Sequence, residues 1–223
     1  MFNRRVLDKT LASAGFPRTA PLTYAIPSSS ECVTWEVGVQ ARSGPIQKLQ
    51  FWVLACNPEA SAFARRCLSQ YAGDWWADRV HRNPQLFRGL ASPIREFDEQ
   101  MPELEMSHQE CSAEETASRI VDSLRRSVVP FIATIASERA YYDALIRATP
   151  LNWPHVHPLT RAAQVAFLGA KFGVTEGELE SALMQQAKFL KGQLGGIGVS
   201  DYIASIVSAA RVGSEEQSST GRH

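Results

Sequence analysis

Cysteine is scarce in this chain, and its four residues, Cys32, Cys56, Cys67 and Cys111, are scattered. A disulfide framework needs more of them at paired intervals. No CxxC pair is present, which argues against a structural zinc site. Cys32 and Cys56 would face each other across a hairpin centred near Gly44, but reduced, half-buried thiols are the expectation for a cytosolic protein. A charge of one sign is also lacking. Twenty-three Lys and Arg balance twenty-three Asp and Glu, so no global field draws in nucleic acid or anionic membrane. No apolar run approaches the ~20 residues of a membrane-spanning helix. The basic start, Met1-Phe2-Asn3-Arg4-Arg5, has no apolar stretch after it, so no secretory signal is expected and the expected location is cytoplasmic. A Gly-x-Ser-x-Gly motif is absent.

What is present is a shape. Val33, Trp35, Val37 and Val39 alternate with Thr34, Glu36, Gly38 and Gln40, the period of a strand with one buried face. Ser43-Gly44-Pro45 breaks the run, and Leu49–Leu54 resumes it, which predicts a β-hairpin. Residues 3–14 form a short amphipathic helix before Gly15, and Leu22–Ile26 a short strand. Asn57-Pro58 opens a helix to about Tyr71, with Phe63, Cys67, Leu68 and Tyr71 inward. Residues 74–111 have anchors without clean periodicity. From Ser112 the period becomes helical, with a Ser112/Glu115 capping box. Pro130 should kink or split that helix, and a second segment spans 131–148. Further helices are predicted at 159–172, 176–192 and 200–211, with a Thr175/Glu178 capping box and Ser200 as a cap. Residues 213–223 read as a disordered tail. The expected class is α+β: an N-terminal antiparallel sheet with flanking helices over 1–111, then a C-terminal helical bundle over 112–212, as two parts or as one continuous domain.

Leu11–Phe16, then Val37–Ser43, then an apolar strand resemble a bacterial domain of unknown function, family 4304. Its members open with a helix ending in Gly-Phe and continue with two strands. The helix end near Val129-Pro130-Phe131 fits their later part, and Gly38 stands where Asn is common. The resemblance covers about residues 1–145 and implies a fold, no reaction and no catalytic residues.

Charge is uneven along the chain. Residues 1–95 hold twelve basic and six acidic groups, net +6, whereas residues 96–116 hold eight acidic groups and no basic ones. The acidic stretch reads as an exposed connector or as a docking strip for a basic partner. On the docking reading Glu96, Asp98, Glu99, Glu103 and Glu105 bind the partner, together with Trp75, Trp76, Arg79 and Arg82.

Other motifs weigh less. His155 and His157 form the one close histidine pair, but prolines 154 and 158 put it in a loop and no third metal ligand is near. Gly195–Ser200 precedes a helix, yet it follows a helix and lacks a phosphate-reaching lysine. Leu168–Thr175 has helix-turn-helix spacing, but Glu176, Glu178 and Glu180 would repel DNA. Arg65, Arg66, Arg79, Arg82 and Arg88 with Trp75 and Trp76 could grip single-stranded nucleic acid; packing is the plainer reading. Cys67 lies beside Arg65 and Arg66 but on the apolar stripe. No cofactor, no metal and no catalytic residue are expected. The leading expectation is a non-enzymatic protein-protein interaction module of immunity or antitoxin type. An enzyme or small-molecule binder is the alternative, and a nucleic-acid binder acting through segment 65–88 is third.

Overall fold

A computed structural model describes residues 4–28, 30, 32–42, 48–73, 90–93, 104–105, 113–147, 157–194 and 196–220. It has the α+β class expected from the sequence. The division is not a cut near residue 111. One compact unit comprises Met1–Ala55 with Ala91–Ser137, and the other Cys56–Leu90 with Glu138–His223.

The first unit is built on the sheet. Its strands are β1 (Arg18–Ala20), β2 (Thr23–Ile26), β3 (Thr34–Arg42), β4 (Lys48–Cys56), β5 (Leu90–Pro93) and β6 (Leu104–Glu105). The order is β1-β2-β3-β4-β5, and β6 pairs with β4 as well. β2 runs antiparallel to β3, with Tyr24 opposite Val37 and Ile26 opposite Trp35. The inward half of the alternation holds, with Val33, Trp35, Val37 and Val39 buried, Thr34 exposed and Glu36 half-buried, but Gly38, expected outward, is buried as well. On β4 both faces are covered, since Phe51, Trp52, Val53, Leu54 and Ala55 are all buried. Gly38 explains how the second face closes. A Cβ built there would stand 3.0 Å from Leu54 Cδ1, so a side chain at 38 would displace Leu54.

β1 has no counterpart in the sequence reading. It is three residues long and wholly exposed, so no alternation announces it. It hangs on β2 through the Pro21-Leu22 turn, where Leu22 adopts φ +57°, a conformation that costs an L residue about 1–2 kcal/mol. The Leu22 carbonyl accepts from the Val39 N–H at 2.8 Å, which ties the turn to β3.

Helix α1 (Arg4–Ser13) buries Leu7 and Leu11. It packs against α3 (Ala113–Ser123). The capping-box Ser112 lies outside the described residues. A kink or split of the helix is the expectation at Pro130. Leu124–Val128 forms a π-helical turn, with the Val129 N–H donating to the Leu124 carbonyl, and α4 (Val129–Ala133) follows directly. A π turn takes one extra residue per turn. It lies in the turn before a residue that cannot donate a backbone bond and crowds the preceding turn. The predicted 131–148 segment is two helices, because α4 stops at Ala133 and α5 (Glu138–Arg147) starts anew.

The second unit is helical. Asn57 caps α2 (Pro58–Tyr71), its Oδ1 accepting from the Ala60 N–H at 2.9 Å, as the Asn-Pro start predicted. Tyr71 is only half-buried, whereas Phe63, Cys67 and Leu68 are core. At the centre is α6 (Pro158–Lys171), in which every residue from Leu159 to Ala170 is buried. A helix covered on all sides is the hub of its unit, and α6 packs against α2, α5 and α9 (Val199–Thr220). Phe63 of α2 stacks on Phe167 of α6 at 5.2 Å. At Gly169 a Cβ would lie 2.4 Å from Leu179 Cδ2 and 3.0 Å from the Tyr142 hydroxyl. That close approach seats α7 (Glu176–Met184), which begins with the predicted Thr175/Glu178 capping box. The predicted 176–192 helix is broken at Gln185-Gln186, and α8 (Ala187–Lys191) resumes it. The last helix does not stop before a disordered tail at 213. It runs to Thr220, since Glu215, Glu216 and Gln217 are good helix formers with no proline among them.

Candidate functional site

The predicted docking residues Glu96, Asp98, Glu99, Glu103, Trp75, Trp76, Arg79 and Arg82 lie outside the described residues. Glu105 is the exception. It lies on β6, whose backbone pairs antiparallel with β4: Glu105 faces Lys48 and Leu104 faces Leu49. The middle of the acidic stretch, Leu104–Glu105, is therefore part of the sheet.

The other motifs fall where ordinary packing would put them. His157 is the N-cap residue of α6, and His155 lies outside the described residues. Among the described residues no group of three or more His, Cys, Asp or Glu is arranged to hold a metal. Gly196–Gly198 joins α8 to α9, helix to helix. Phe172–Thr175 is the turn of the α6–α7 hairpin. Arg65 and Arg66 are exposed on α2, and the Arg66 guanidinium lies 5.8 Å from the centre of the Phe63 ring. Cys67 is core, and burial pushes its thiol up to about 12. Neither Cys32, which is exposed, nor Cys56, which is half-buried, is in a disulfide.

What the helical unit does gather is a chain of polar side chains that periodicity did not flag. Cys56, at the end of β4, has its Sγ 3.1 Å from the Ser61 Oγ. The Gln164 Nε2 donates to that same Ser61 Oγ at 3.2 Å. The Tyr141 hydroxyl donates to the Gln164 Oε1 at 3.0 Å. Three elements, α2, α5 and α6, are thus pinned by one amide. Burial raises the Cys56 thiol pKa despite the Ser61 bond and nearby Arg65, so at neutral pH it is a thiol rather than a thiolate nucleophile. Burial also raises the Tyr141 hydroxyl pKa. Beside this chain the Asn57 Nδ2 donates to the Glu138 Oε1 at 2.8 Å. Lys171 bridges the Glu138 Oε2 at 2.9 Å and the Glu59 Oε2 at 3.1 Å. Burial works against the Lys171 charge, but the two carboxylates outweigh it and hold the ammonium pKa up.

Arg161 stands apart from these pairs. It is 2% exposed, in the first turn of α6. Its Nη2 donates to the Gln186 Oε1, and its Nε has no acceptor among the described residues. Burial lowers its pKa to about 10, which leaves it charged at neutral pH. The sequence did carry a signal for it and for Gln164. Gln164 interrupts a helical run, Ala162 to Ala170, whose other residues are apolar or glycine, and Arg161 directly precedes that run; a polar side chain at such a place must find a partner once buried.

In the sheet unit a groove of about 520 Å³ lies along α1, lined by Val6, Lys9, Thr10, Ser13, Ala14, Glu114 and Arg125. The Arg125 Nη2 donates to the Ala14 carbonyl at 2.9 Å, closing the end of α1. Both signs of charge line this groove. Comparison of the chain with family models, curated proteins and solved structures returned no match. No helix among the described residues is long and apolar enough to cross a membrane.

Proposed function

We propose that this chain is a non-enzymatic binding protein of the immunity or antitoxin type, and that its partner is another protein with a basic surface. The observation that carries the reading is the pairing of Leu104 and Glu105 with Leu49 and Lys48. It ties the middle of the acidic stretch to a sheet, so the flanking carboxylates can be held for docking at a lower ordering cost than on a free linker. The gathered polar groups of the helical unit support the same reading. Cys56, Ser61, Gln164 and Tyr141 bond to one another, and a protonated thiol within that chain serves packing rather than attack.

The test starts with purification of the native complex and measurement of its association kinetics. Affinity should fall steeply with salt, because exposed charges are screened within ~8 Å at physiological ionic strength. Changing Glu96, Glu99, Glu103 and Glu105 to Gln and Asp98 to Asn should slow association about tenfold or more and leave dissociation nearly unchanged, since charges at an interface rim mainly steer encounter. The unfolding midpoint should move little, as exposed pairs are each worth ~0–1 kcal/mol. A clear loss of stability with unchanged association would mean that the segment closes the fold, and the docking reading would be withdrawn.

A further inference from the structure

We propose that Arg161 anchors a site for a small oxyanion, a carboxylate or a phosphate, in the helical unit. This goes beyond the protein-binding reading and does not depend on it. Lysine and arginine are almost never fully buried unless paired. Here a guanidinium is 2% exposed, and no carboxylate among the described residues pairs with it. Its one hydrogen-bond partner there is the neutral amide of Gln186, and its Nε–H is buried without an acceptor. Its position sharpens the difficulty. Arg161 lies in the first turn of a fourteen-residue helix, and the helix macrodipole is positive at that end. Two positive features therefore meet where no described carboxylate forms an ion pair with the guanidinium. A water molecule could accept from Nε but would leave the charge uncompensated. An oxyanion does both, and two of its oxygens can span adjacent N–H groups of the guanidinium fork. A hydrophobic residue of similar length would fill the same space without this penalty, so packing alone does not account for arginine here.

Three carboxylates on elements packed against α6 are already engaged. Glu59 and Glu138 hold Lys171 at the opposite end of the helix. Glu178 is folded back on Thr175 in its capping box.

The experiment is thermal unfolding of the full chain in inorganic phosphate, in acetate and in chloride at matched ionic strength, with Arg161→Met and Arg161→Lys alongside. Phosphate or acetate, and not chloride, should raise the wild-type midpoint saturably, by roughly 5 °C at a hundred times Kd. Which of the two acts separates a phosphate from a carboxylate ligand. Arg161→Met should fold, match or exceed the wild-type midpoint without anion, and lose the anion response entirely. Arg161→Lys should retain a weaker response, since it keeps the charge and loses the fork. No saturable response in the wild type, or an equal response in Arg161→Met, overturns the proposal. So does an Arg161→Met midpoint well below wild type in chloride, which would mean that the chain itself supplies the counter-charge.

Discussion

In the sheet unit the buried polar side chains among the described residues are hydroxyls, Thr23, Thr116 and Ser123, whereas the helical unit buries Asn57, Ser61, Thr160, Arg161 and Gln164. A hydroxyl is small and rotates to find a partner. An amide or a guanidinium has fixed donors and acceptors, and each one left unmet is costly. The two units therefore fail by different routes. The first is specified by volume on the two faces of a sheet. The second is specified by volume and by a particular set of hydrogen bonds.

The largest effect should come from volume in the sheet unit. Trp35 is 2% exposed and meets Phe131 edge-on at 6.3 Å. Trp35→Ala should cost about 3–5 kcal/mol, read as a fall in the denaturation midpoint. The indole Nε1 is buried without an acceptor among the described residues, so the loss is one of packing and not of a hydrogen bond. An unchanged midpoint would mean that the face carrying Trp35 does not form the core of this unit.

The matching probe in the helical unit changes polarity and keeps volume. Gln164→Leu is close to isosteric, yet it leaves the Tyr141 hydroxyl and the Ser61 hydroxyl each without a bond they now make. Ser61 keeps its Cys56 contact, and losing a bond at a buried polar group costs about 1–3 kcal/mol, so a loss of about 1–3 kcal/mol is expected. Adding Ser61→Ala and Tyr141→Phe should return part of it, because replacing both partners of a bond can be nearly neutral. A single variant as stable as the wild type would erase the distinction between the units.

This contrast also explains what the sequence could say in advance. Strand β3 was legible because its apolar residues alternate, and α2 because Asn57-Pro58 marks its start and Phe63, Cys67 and Leu68 recur at helical spacing. Periodicity reports which face is buried. It does not report which buried atoms bond to one another, so the Cys56–Ser61–Gln164–Tyr141 chain was missed, although a lone glutamine amid alanines hinted at it. β1 was missed because it has no buried face at all. The unit boundary was missed because the chain leaves the sheet unit at Ala55 and returns at Ala91. That path depends on long-range packing and leaves no mark on local composition. Of the predicted docking residues, the backbone of Glu105 alone can be placed, at the sheet edge.

The smallest effect at neutral pH, and the most specific to the helical unit, is alkaline sensitivity. Burial pushes the Cys67 thiol up from 9.0 to about 12, and the Tyr202 hydroxyl is raised by its own burial and by Cys67 beside it. An acid whose folded pKa is raised gives stability that is fully present below its unfolded pKa. Here that means below about 9. Above it the unfolded thiol releases its proton while the folded one cannot, so stability falls until about pH 12. Each unit of difference corresponds to about 1.4 kcal/mol, so a loss on the order of 1 kcal/mol per pH unit is expected from this residue across that window. Cys67→Ala removes a small buried atom and should cost about 1 kcal/mol at pH 7. As pH rises past 9 the variant should lose stability more slowly than the wild type, and the two curves should converge and cross. Tyr141, Tyr142, Tyr202 and Cys56, which are shifted in the same direction, contribute to the slope left in the variant. Denaturant midpoints of both proteins from pH 7 to 11 decide it. Parallel curves would mean that the Cys67 thiol can ionise in the folded protein, and the packing of α2 against α9 would be looser than described.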